Sequence, residues 1–306
     1  MQTTLRKTAR FTGLGLHSGR PVRMEIKPAA ANHGIWFRRT DVAKGDPMIA
    51  ALWSNAIPAQ LCTKLSNEDG VTVATVEHVM AALAGCGIQN AVIELDGPEV
   101  PVLDGSSIPY VTAFIAAGRQ ELDAPVHALQ VLKPVQVTHG TAVARLVPAD
   151  SLEIDFRIEF DEAAIGTQHK MLNMANGSFV RELCDSRTFC MQSDVEQMHA
   201  AGLALGGSIH NAVVYDQGRV LSPGGLRHSD EAVRHKMLDA MGDLALAGAP
   251  ILGRYEGFRA GHALTNKLLR ALFADPDATR VIDCSAAQVA RLPGAGVKVS
   301  DVQAVA

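Results

Sequence analysis

The order of predicted strands and helices constrains the fold of this chain more than any other feature. Alternating runs at residues 22–26 and 91–95 have one apolar face and predict half-buried strands. In each half of the chain such strands come first, and the long helical patterns follow them. That order predicts an α+β fold, because a doubly wound parallel sheet would need strict alternation of strand and helix.

A polar segment at residues 118–125 separates the two halves. It follows a helical pattern over residues 108–117 and closes with Pro125, which ends a regular element. We therefore expect one α+β domain at residues 1–124 and a second at residues 125–306.

The principal helix of each half carries a histidine about one turn from its start. Thr72 or Thr75 is expected to cap the first helix, and the second is expected to begin at Ser229. The similar placement of His78 and His235 suggests that these two helices face each other and share a site.

The composition is that of a globular protein with no large basic surface. Of its 306 residues, 47% are hydrophobic and 20% are charged, which allows a sizeable core. The net charge is −4 and the cations are scattered, so we expect no nucleic-acid partner. Neither a signal peptide nor a transmembrane run is visible, and the five cysteines form no Cys-x-x-Cys pair. A cytoplasmic protein without a disulfide framework is expected.

Residues 235–243 carry the clearest chemical pattern. On a helix, His235 and Asp239 lie four residues apart on one face, within reach of a single metal ion. Lys236 and Asp243 are seven apart, so they would place a cation and a second carboxylate beside that face. The same spacing also fits a solvated or capped pair.

His78 and Glu77 supply the residue types that a metal site at His235 and Asp239 lacks. With His78, the set becomes two nitrogens and one oxygen, which is the open three-ligand set of a catalytic zinc and which Fe²⁺ also accepts. Glu77 lies about 100° round the helix, where its carboxylate could face the water that the metal activates. An ordinary polar edge on an amphipathic helix is the alternative.

His262 stands near the start of a helix expected over residues 261–273. A helix N-terminus disfavours the imidazolium form, so a histidine that acts as an acid there needs a carboxylate, which Asp243 can provide. Glu77 as base and His262 as acid would divide the proton transfers of amide hydrolysis. A histidine that only packs against a neighbour is the alternative.

Eight short segments resemble a known family when they are taken together. They are TGLGLHSG (12–19), LCT (61–63), TVEH (75–78), PVLDGS (101–106), SRTF (186–189), GGS (206–208), VRHKMLDAMGD (233–243) and GHAL (261–264). In this order and at this spacing, the chain resembles the bacterial zinc-dependent UDP-3-O-acyl-N-acetylglucosamine deacetylases. The resemblance implies hydrolysis of the N-acetyl group with release of acetate, the committed step of lipid A biosynthesis.

The resemblance implies a catalytic metal and a pair of acid–base residues. His78, His235 and Asp239 would bind the metal, which would be Zn²⁺, with Fe²⁺ as the alternative. Glu77 would be the general base for the water, and His262 would protonate the leaving amine.

Supporting residues are implied by the same resemblance. Thr188 and Lys236 would stabilise the transition state, where one such donor is worth roughly 3 kcal/mol. Asp243 would orient His262. Four residues would contact the substrate, although each also fits a structural role: Cys62, Phe160, Phe189 and Arg259.

The family fold implied by the resemblance is a β-α-α-β sandwich of two similar domains, each a sheet backed by helices, with the site between the helix layers. A strand-helix-strand insert near residues 190–215 would form the passage for the acyl chain. The partner would be a small UDP-acyl-amino-sugar, and the protein is expected to be a monomer.

Two other functions are compatible with these residues. One is a metal-dependent amidohydrolase that acts on a different acylated amino sugar, with the same metal machinery and different ligand-binding surfaces. The other is a non-catalytic protein that binds nucleotide sugars. The second is expected to lack the base or a ligand, whereas Glu77, His78, His235, Asp239 and His262 are all present.

Overall fold

Two principal sheets, of five and seven strands, three smaller sheets and seven α-helices make up the computed structural model, which describes residues 1–302. The elements of the first half are, in order, β1 (Thr3–Leu5), β2 (Ala9–Leu14), β3 (Pro21–Pro28), β4 (Ile35–Arg39), β5 (Met48–Ala50), a 3₁₀ helix (Trp53–Asn55), β6 (Ala56–Ile57), β7 (Lys64–Ser66), β8 (Thr72–Ala74), α1 (Glu77–Gly85), β9 (Ala91–Leu95), α2 (Ile108–Ala117) and β10 (Arg119–Glu121).

The second half begins with strands and continues with its main helices. Its elements are β11 (His127–Val131), β12 (Val135–His139), β13 (Ala142–Val147), β14 (Leu152–Glu159), β15 (Thr167–Asn173), α3 (Ser178–Glu182), β16 (Phe189–Met191), α4 (Gln192–Ala200), β17 (Val213–Asp216), β18 (Arg219–Val220), α5 (Glu231–Ala245), β19 (Ile251–Phe258), α6 (His262–Ala274), β20 (Thr279–Asp283), α7 (Ala286–Val289) and a 3₁₀ helix (Val299–Asp301).

Each half contributes one principal mixed sheet. The first has the order β2-β3-β9-β4-β5, with β4 parallel to β9 and the other pairs antiparallel. The second has seven strands, and β19 pairs in parallel with both β11 and β14. Alternate residues of β14 point to the core, among them Ile154 and Phe156, because successive side chains of a strand face opposite sides. The expected α+β class is confirmed.

The helix layers meet where α1 crosses α5. Gly242 of α5 lies directly against the backbone carbonyl of Glu77, and a Cβ atom there would collide with that oxygen. Gly85, at the end of α1, likewise leaves room for the ring of Phe179. Gly242 lets the backbones of α1 and α5 approach closely, which brings the first turn of α1 against the C-terminal half of α5.

The predicted threonine cap of α1 is wrong. Val76 occupies the N-cap position without a side-chain hydrogen bond, and Thr72 lies in β8. Thr75 has a left-handed backbone with φ of 56°, and its hydroxyl donates to the Oε1 atom of Glu99 at 2.7 Å. The Thr75 hydroxyl, which the sequence pattern assigned to the helix end, therefore forms its hydrogen bond with the buried carboxylate of Glu99 instead.

The segment at residues 118–125 returns to the start of the chain. Its strand β10 pairs antiparallel with β1, so the first half closes on itself. In the second half, β16, α4 and β17 form a strand-helix-strand unit whose two strands are parallel. Within residues 1–302, no helix is both long enough and apolar enough to span a bilayer.

Candidate metal centre and active site

Three buried side chains from α1 and α5 converge at the helix crossing. The ligand atoms of His78, His235 and Asp239 all lie within 4.8 Å of one another. The Oδ1 atom of Asp239 is 3.2 Å from the Nε2 atom of His235 and 3.6 Å from the Nε2 atom of His78. The structure thus brings together the three residues expected to bind a metal.

The protonation of this cluster fits a cation. Burial lowers the pKa of His78, which favours the neutral imidazole that a metal requires. Burial alone would raise the pKa of Asp239, but His235 and Lys236 hold it well below its usual range. The Oδ1 atom of Asp239 is buried without any hydrogen-bond donor. A buried carboxylate oxygen facing two imidazole nitrogens is costly unless a cation completes the set.

The orientation of His235 is set by the segment before β16. Its Nδ1 atom lies 3.0 Å from the backbone carbonyl oxygen of Ser186, and donation to that oxygen leaves Nε2 with a free lone pair toward Asp239. The adjacent Arg187 forms a buried ion pair with Glu231 in the first turn of α5, at 2.9 Å from Nε to Oε1. This ion pair holds the segment against the helix that carries His235.

Glu77 lies beside the cluster and is buried. Its Oε2 atom accepts the backbone N–H of Thr63 at 3.0 Å. Burial raises the pKa of Glu77 to about 7, and the nearby carboxylates of Asp239 and Asp243 act in the same direction. A carboxyl group with such a pKa is well matched to a general base near neutral pH.

His262, the first residue of α6, faces Glu77 across the site. Its Nδ1 atom is 2.9 Å from the Oδ2 atom of Asp243, and its Nε2 atom is 3.7 Å from both Glu77 and Asp239. Burial lowers its pKa, but the carboxylates of Asp243, Glu77 and Asp239 outweigh burial and raise the pKa to about 9. The imidazolium is therefore the favoured form at neutral pH, as a general acid requires.

Lys236 and Thr188 also face the site. The Nζ atom of Lys236 donates to the Oδ2 atom of Asp239 at 2.8 Å, and Asp239 raises the lysine pKa against the effect of burial. Thr188 is held by its backbone, since its N–H donates to Gly105 and its carbonyl accepts from Val213. Neither backbone contact uses the hydroxyl of Thr188.

A cavity of about 1370 Å³ opens onto these residues. Glu77, the three clustered side chains, Lys236, Thr188 and His262 all line it. The apolar wall of the cavity comes from the unit of β16, α4 and β17 and consists of Met191, Val195, Met198, Leu203, Ile209 and Val214. Titratable groups and an apolar surface therefore share one cavity.

The four residues expected to contact substrate are placed differently. Phe160 and Phe189 line the cavity and pack edge to face with ring centroids 5.5 Å apart. Arg259 also lines it, although its guanidinium already pairs with Glu159 at 2.6 Å. Cys62 is buried outside the cavity lining, where burial and Glu77 raise the pKa of its thiol to about 12. The expected contact of Cys62 with substrate stays a prediction.

Sequence reasoning missed the partners that orient the site. Thr63, the carbonyl oxygen of Ser186 and Asn266 each contact an expected site residue or its partner. Thr63 and Ser186 belong to the quoted segments 61–63 and 186–189, but no spacing rule connects a backbone carbonyl to a histidine almost fifty residues away.

The chain is similar to one known family over most of its length. A model of the family "UDP-3-O-acyl N-acetylglycosamine deacetylase" matches residues 2–274. A Phenylobacterium zucineum protein named UDP-3-O-acyl-N-acetylglucosamine deacetylase is 50% identical over 280 residues, which cover 92% of this chain and 96% of that protein. A Shewanella loihica protein of the same name is 45% identical over 283 residues, with 92% of each chain covered. A Photobacterium profundum protein, also of that name, is 44% identical over 90% of this chain and 91% of its own. This chain therefore belongs to the UDP-3-O-acyl N-acetylglycosamine deacetylase family.

Proposed function

We propose that this protein is a metal-dependent amide hydrolase that removes the N-acetyl group of UDP-3-O-acyl-N-acetylglucosamine in lipid A biosynthesis. The observation that carries the proposal is the cluster of His78, His235 and Asp239, flanked by Glu77 and His262, on the wall of a largely apolar cavity. The names and coverage of the relatives support the substrate.

Zn²⁺ is the metal that we propose for the cluster, with Fe²⁺ as the alternative. Two imidazoles and one carboxylate, with no fourth ligand found among residues 1–302, suit a catalytic zinc. When bound, such an ion lowers the pKa of a water molecule toward neutrality and polarises the acetyl carbonyl group.

The acid and base roles follow from the opposed protonation states of Glu77 and His262. Glu77 accepts a proton from the attacking water, because it lines the cavity and its carboxyl group has a pKa near neutrality. His262 donates a proton to the departing nitrogen, because three carboxylates keep its imidazole protonated. Asp243 orients His262 through the Nδ1 atom, which leaves the Nε2 atom directed to the site.

Lys236 and Thr188 are proposed to stabilise the oxyanion that develops on the acetyl carbonyl. Lys236 supplies a positive charge beside Asp239, and the hydroxyl of Thr188 supplies a neutral donor from the cavity wall. Either contribution acts only as negative charge develops, so it would raise kcat rather than tighten substrate binding.

The substrate is proposed to lie along the cavity. Its acyl chain would follow the apolar wall formed by α4 and its flanking strands, and its sugar and nucleotide would pack near Phe189, Phe160 and Arg259. Cys62 stays a prediction as a substrate contact, although it does not itself line the cavity.

Several features stay predictions that composition and resemblance support. They are the division into domains at residues 1–124 and 125–306, a cytoplasmic location and a monomeric state. Light scattering of the purified protein measures the last of these directly.

Acetate release is the test of this function. We expect purified protein to release acetate from UDP-3-O-acyl-N-acetylglucosamine, and a chelator to stop the reaction until Zn²⁺ or Fe²⁺ is restored. Hydrolysis of other acylated amino sugars in preference to this substrate would support the alternative amidohydrolase. Binding of the nucleotide sugar without any acetate release by metal-loaded protein would contradict catalysis.

The rate should depend on pH as a bell. Activity rises with pH as Glu77 loses its proton, near its pKa of about 7, and falls as His262 loses its proton, near its pKa of about 9. A bound cation lowers both pKa values, so both limbs of the metal-loaded enzyme shift to lower pH. The measurement is kcat/KM against pH.

In His262→Ala the alkaline limb should shift or disappear, and the acid limb should move to higher pH because the positive charge of His262 lowers the pKa of Glu77. A His127→Ala control, which removes a histidine near the surface outside the cavity, should keep both limbs. An alkaline limb that is unchanged in His262→Ala would exclude His262 as the acid.

A further inference from the structure

Thr63 contacts all three helices that carry the proposed catalytic residues. Its backbone N–H donates to the Oε2 atom of Glu77 at 3.0 Å, and its carbonyl accepts from Val76 just before α1. Its hydroxyl donates to the Oδ1 atom of Asp243 on α5 at 2.6 Å. The same hydroxyl accepts from the side chain of Asn266 on α6 at 3.2 Å. Thr63 is 1% exposed, so water does not compete for these contacts.

The hydroxyl of Thr63 has only one possible direction for its proton. A hydroxyl group carries a single proton and two lone pairs. The side-chain NH₂ group of Asn266 occupies a lone pair, and the proton therefore points to Asp243. Asp243 is 1% exposed, so water does not compete with Thr63 for the Oδ1 atom of this carboxylate.

The two oxygens of Asp243 have separate partners as a result. Oδ1 accepts from Thr63, and Oδ2 lies 2.9 Å from the Nδ1 atom of His262. Two fixed contacts hold the carboxylate plane against rotation about its Cβ–Cγ bond. Without the contact to Thr63, the carboxylate can turn and carry the imidazole of His262 with it.

We propose that Thr63 is a positioning residue that sets the separation between the base Glu77 and the acid His262. It anchors Glu77 directly through its N–H and His262 indirectly through Asp243. The proposal rests on the proposed function for its consequence in catalysis, because both groups must reach the same substrate amide. A displacement of one group by about 1 Å is enough to cost roughly 100-fold in rate.

The test compares Thr63→Val with Thr63→Ser. Valine keeps the N–H that anchors Glu77 and removes the hydroxyl, whereas serine keeps both. We expect kcat for acetate release to fall by roughly 10- to 100-fold in Thr63→Val, with KM and metal content unchanged. Thr63→Ser should recover most of the wild-type kcat.

Thr265→Val is the matched control. Thr265 is also buried, at 2% exposure, and lies on α6, but its hydroxyl contacts Tyr255 at 3.0 Å and the carbonyl of Gly261 rather than Asp243. The loss of the Thr265 hydroxyl should leave kcat unchanged even if the melting temperature falls. A wild-type kcat in Thr63→Val would contradict the proposal. So would a Thr63→Ser variant as impaired as Thr63→Val, because the methyl group would then be responsible.

A spectroscopic measurement keeps this proposal separate from the function itself. The Nδ1 proton of His262, assigned by its absence in His262→Ala, should give a downfield proton resonance because it is held between His262 and Asp243. Thr63→Val should broaden or lose this resonance, while Thr63→Ser and Thr265→Val should retain it. Wild-type protein that releases no acetate would contradict the proposed function, whereas an unchanged resonance in Thr63→Val would contradict the positioning role.

Discussion

Glu77→Gln should lose nearly all acetate-releasing activity and still bind its metal. Glutamine has the shape of glutamate and can still accept the N–H of Thr63, but it cannot take a proton from water. Loss of a general base typically costs about 10²- to 10⁴-fold, and we expect kcat to fall within that range. The melting temperature should not fall, because the substitution removes a buried carboxyl group whose ionisation is opposed by burial.

Three measurements check this expectation: kcat, metal content by elemental analysis and the melting temperature. Glu94→Gln is the control, because Glu94 lies on β9 outside the cavity lining, where it pairs with Lys27 at 2.6 Å. It should retain full activity. Normal turnover by Glu77→Gln would remove Glu77 from the role of base, whereas joint loss of metal and activity would give it a role in metal binding.

His235→Ala should lose the metal and the activity together. His235 supplies one of two imidazoles, and Asp239 and His78 alone would leave only two of the three ligands. Removal of an outer hydrogen-bond partner of a ligand costs roughly 10- to 100-fold in metal affinity, so removal of the ligand itself should cost more. The substitution also leaves the buried Asp239 with one fewer imidazole to balance its charge.

Metal affinity is measured by chelator competition and metal identity by elemental analysis of protein purified without air. Two histidine variants are informative controls. His33→Ala alters a half-buried histidine outside the catalytic cavity and should keep metal and activity. His262→Ala should keep the metal but lose activity, because His262 contacts Asp239 only at 3.7 Å and its Nδ1 atom is engaged with Asp243. Full metal occupancy in His235→Ala would rule out the proposed ligand set.

Local patterns were sufficient to predict the helices that carry the site. The periodic run after Ser229 is α5, and the helix expected over residues 261–273 is α6. Because an α-helix repeats every 3.6 residues, the spacing of His235 and Asp239 placed them on one face before any tertiary contact was known. The i,i+4 geometry is a local property, so it could be predicted from the sequence.

The start of α1 was harder to predict, because the side chains near it contact residues that are distant in the sequence. Thr75 has the residue type of an N-cap, yet Val76 occupies that position and the hydroxyl of Thr75 bonds to Glu99. Propensity describes what a residue does alone. Here it is overridden by the buried carboxylate of Glu99, which also accepts from the backbone N–H groups of His17 and Ser18.

The orienting contacts could not be predicted from spacing. Thr63 and Asp243 are separated by 180 residues, and their hydrogen bond exists only because α1, α5 and α6 pack at one point. The close approach at Gly242, which permits that packing, is visible only as a contact with Glu77. Such contacts depend on how helices and strands are placed relative to one another, and a local sequence pattern does not describe that placement.

The sequence by itself determined the residue types, the helix faces and, through resemblance, the family of this protein. A histidine and an aspartate four residues apart share a face whatever surrounds them. Only the tertiary structure decided that the Oδ1 atom of Asp239 is buried without a donor and that the pKa values of Glu77 and His262 are both raised. Burial and the distances between charges set those properties, and both arise when the two helix layers close on each other.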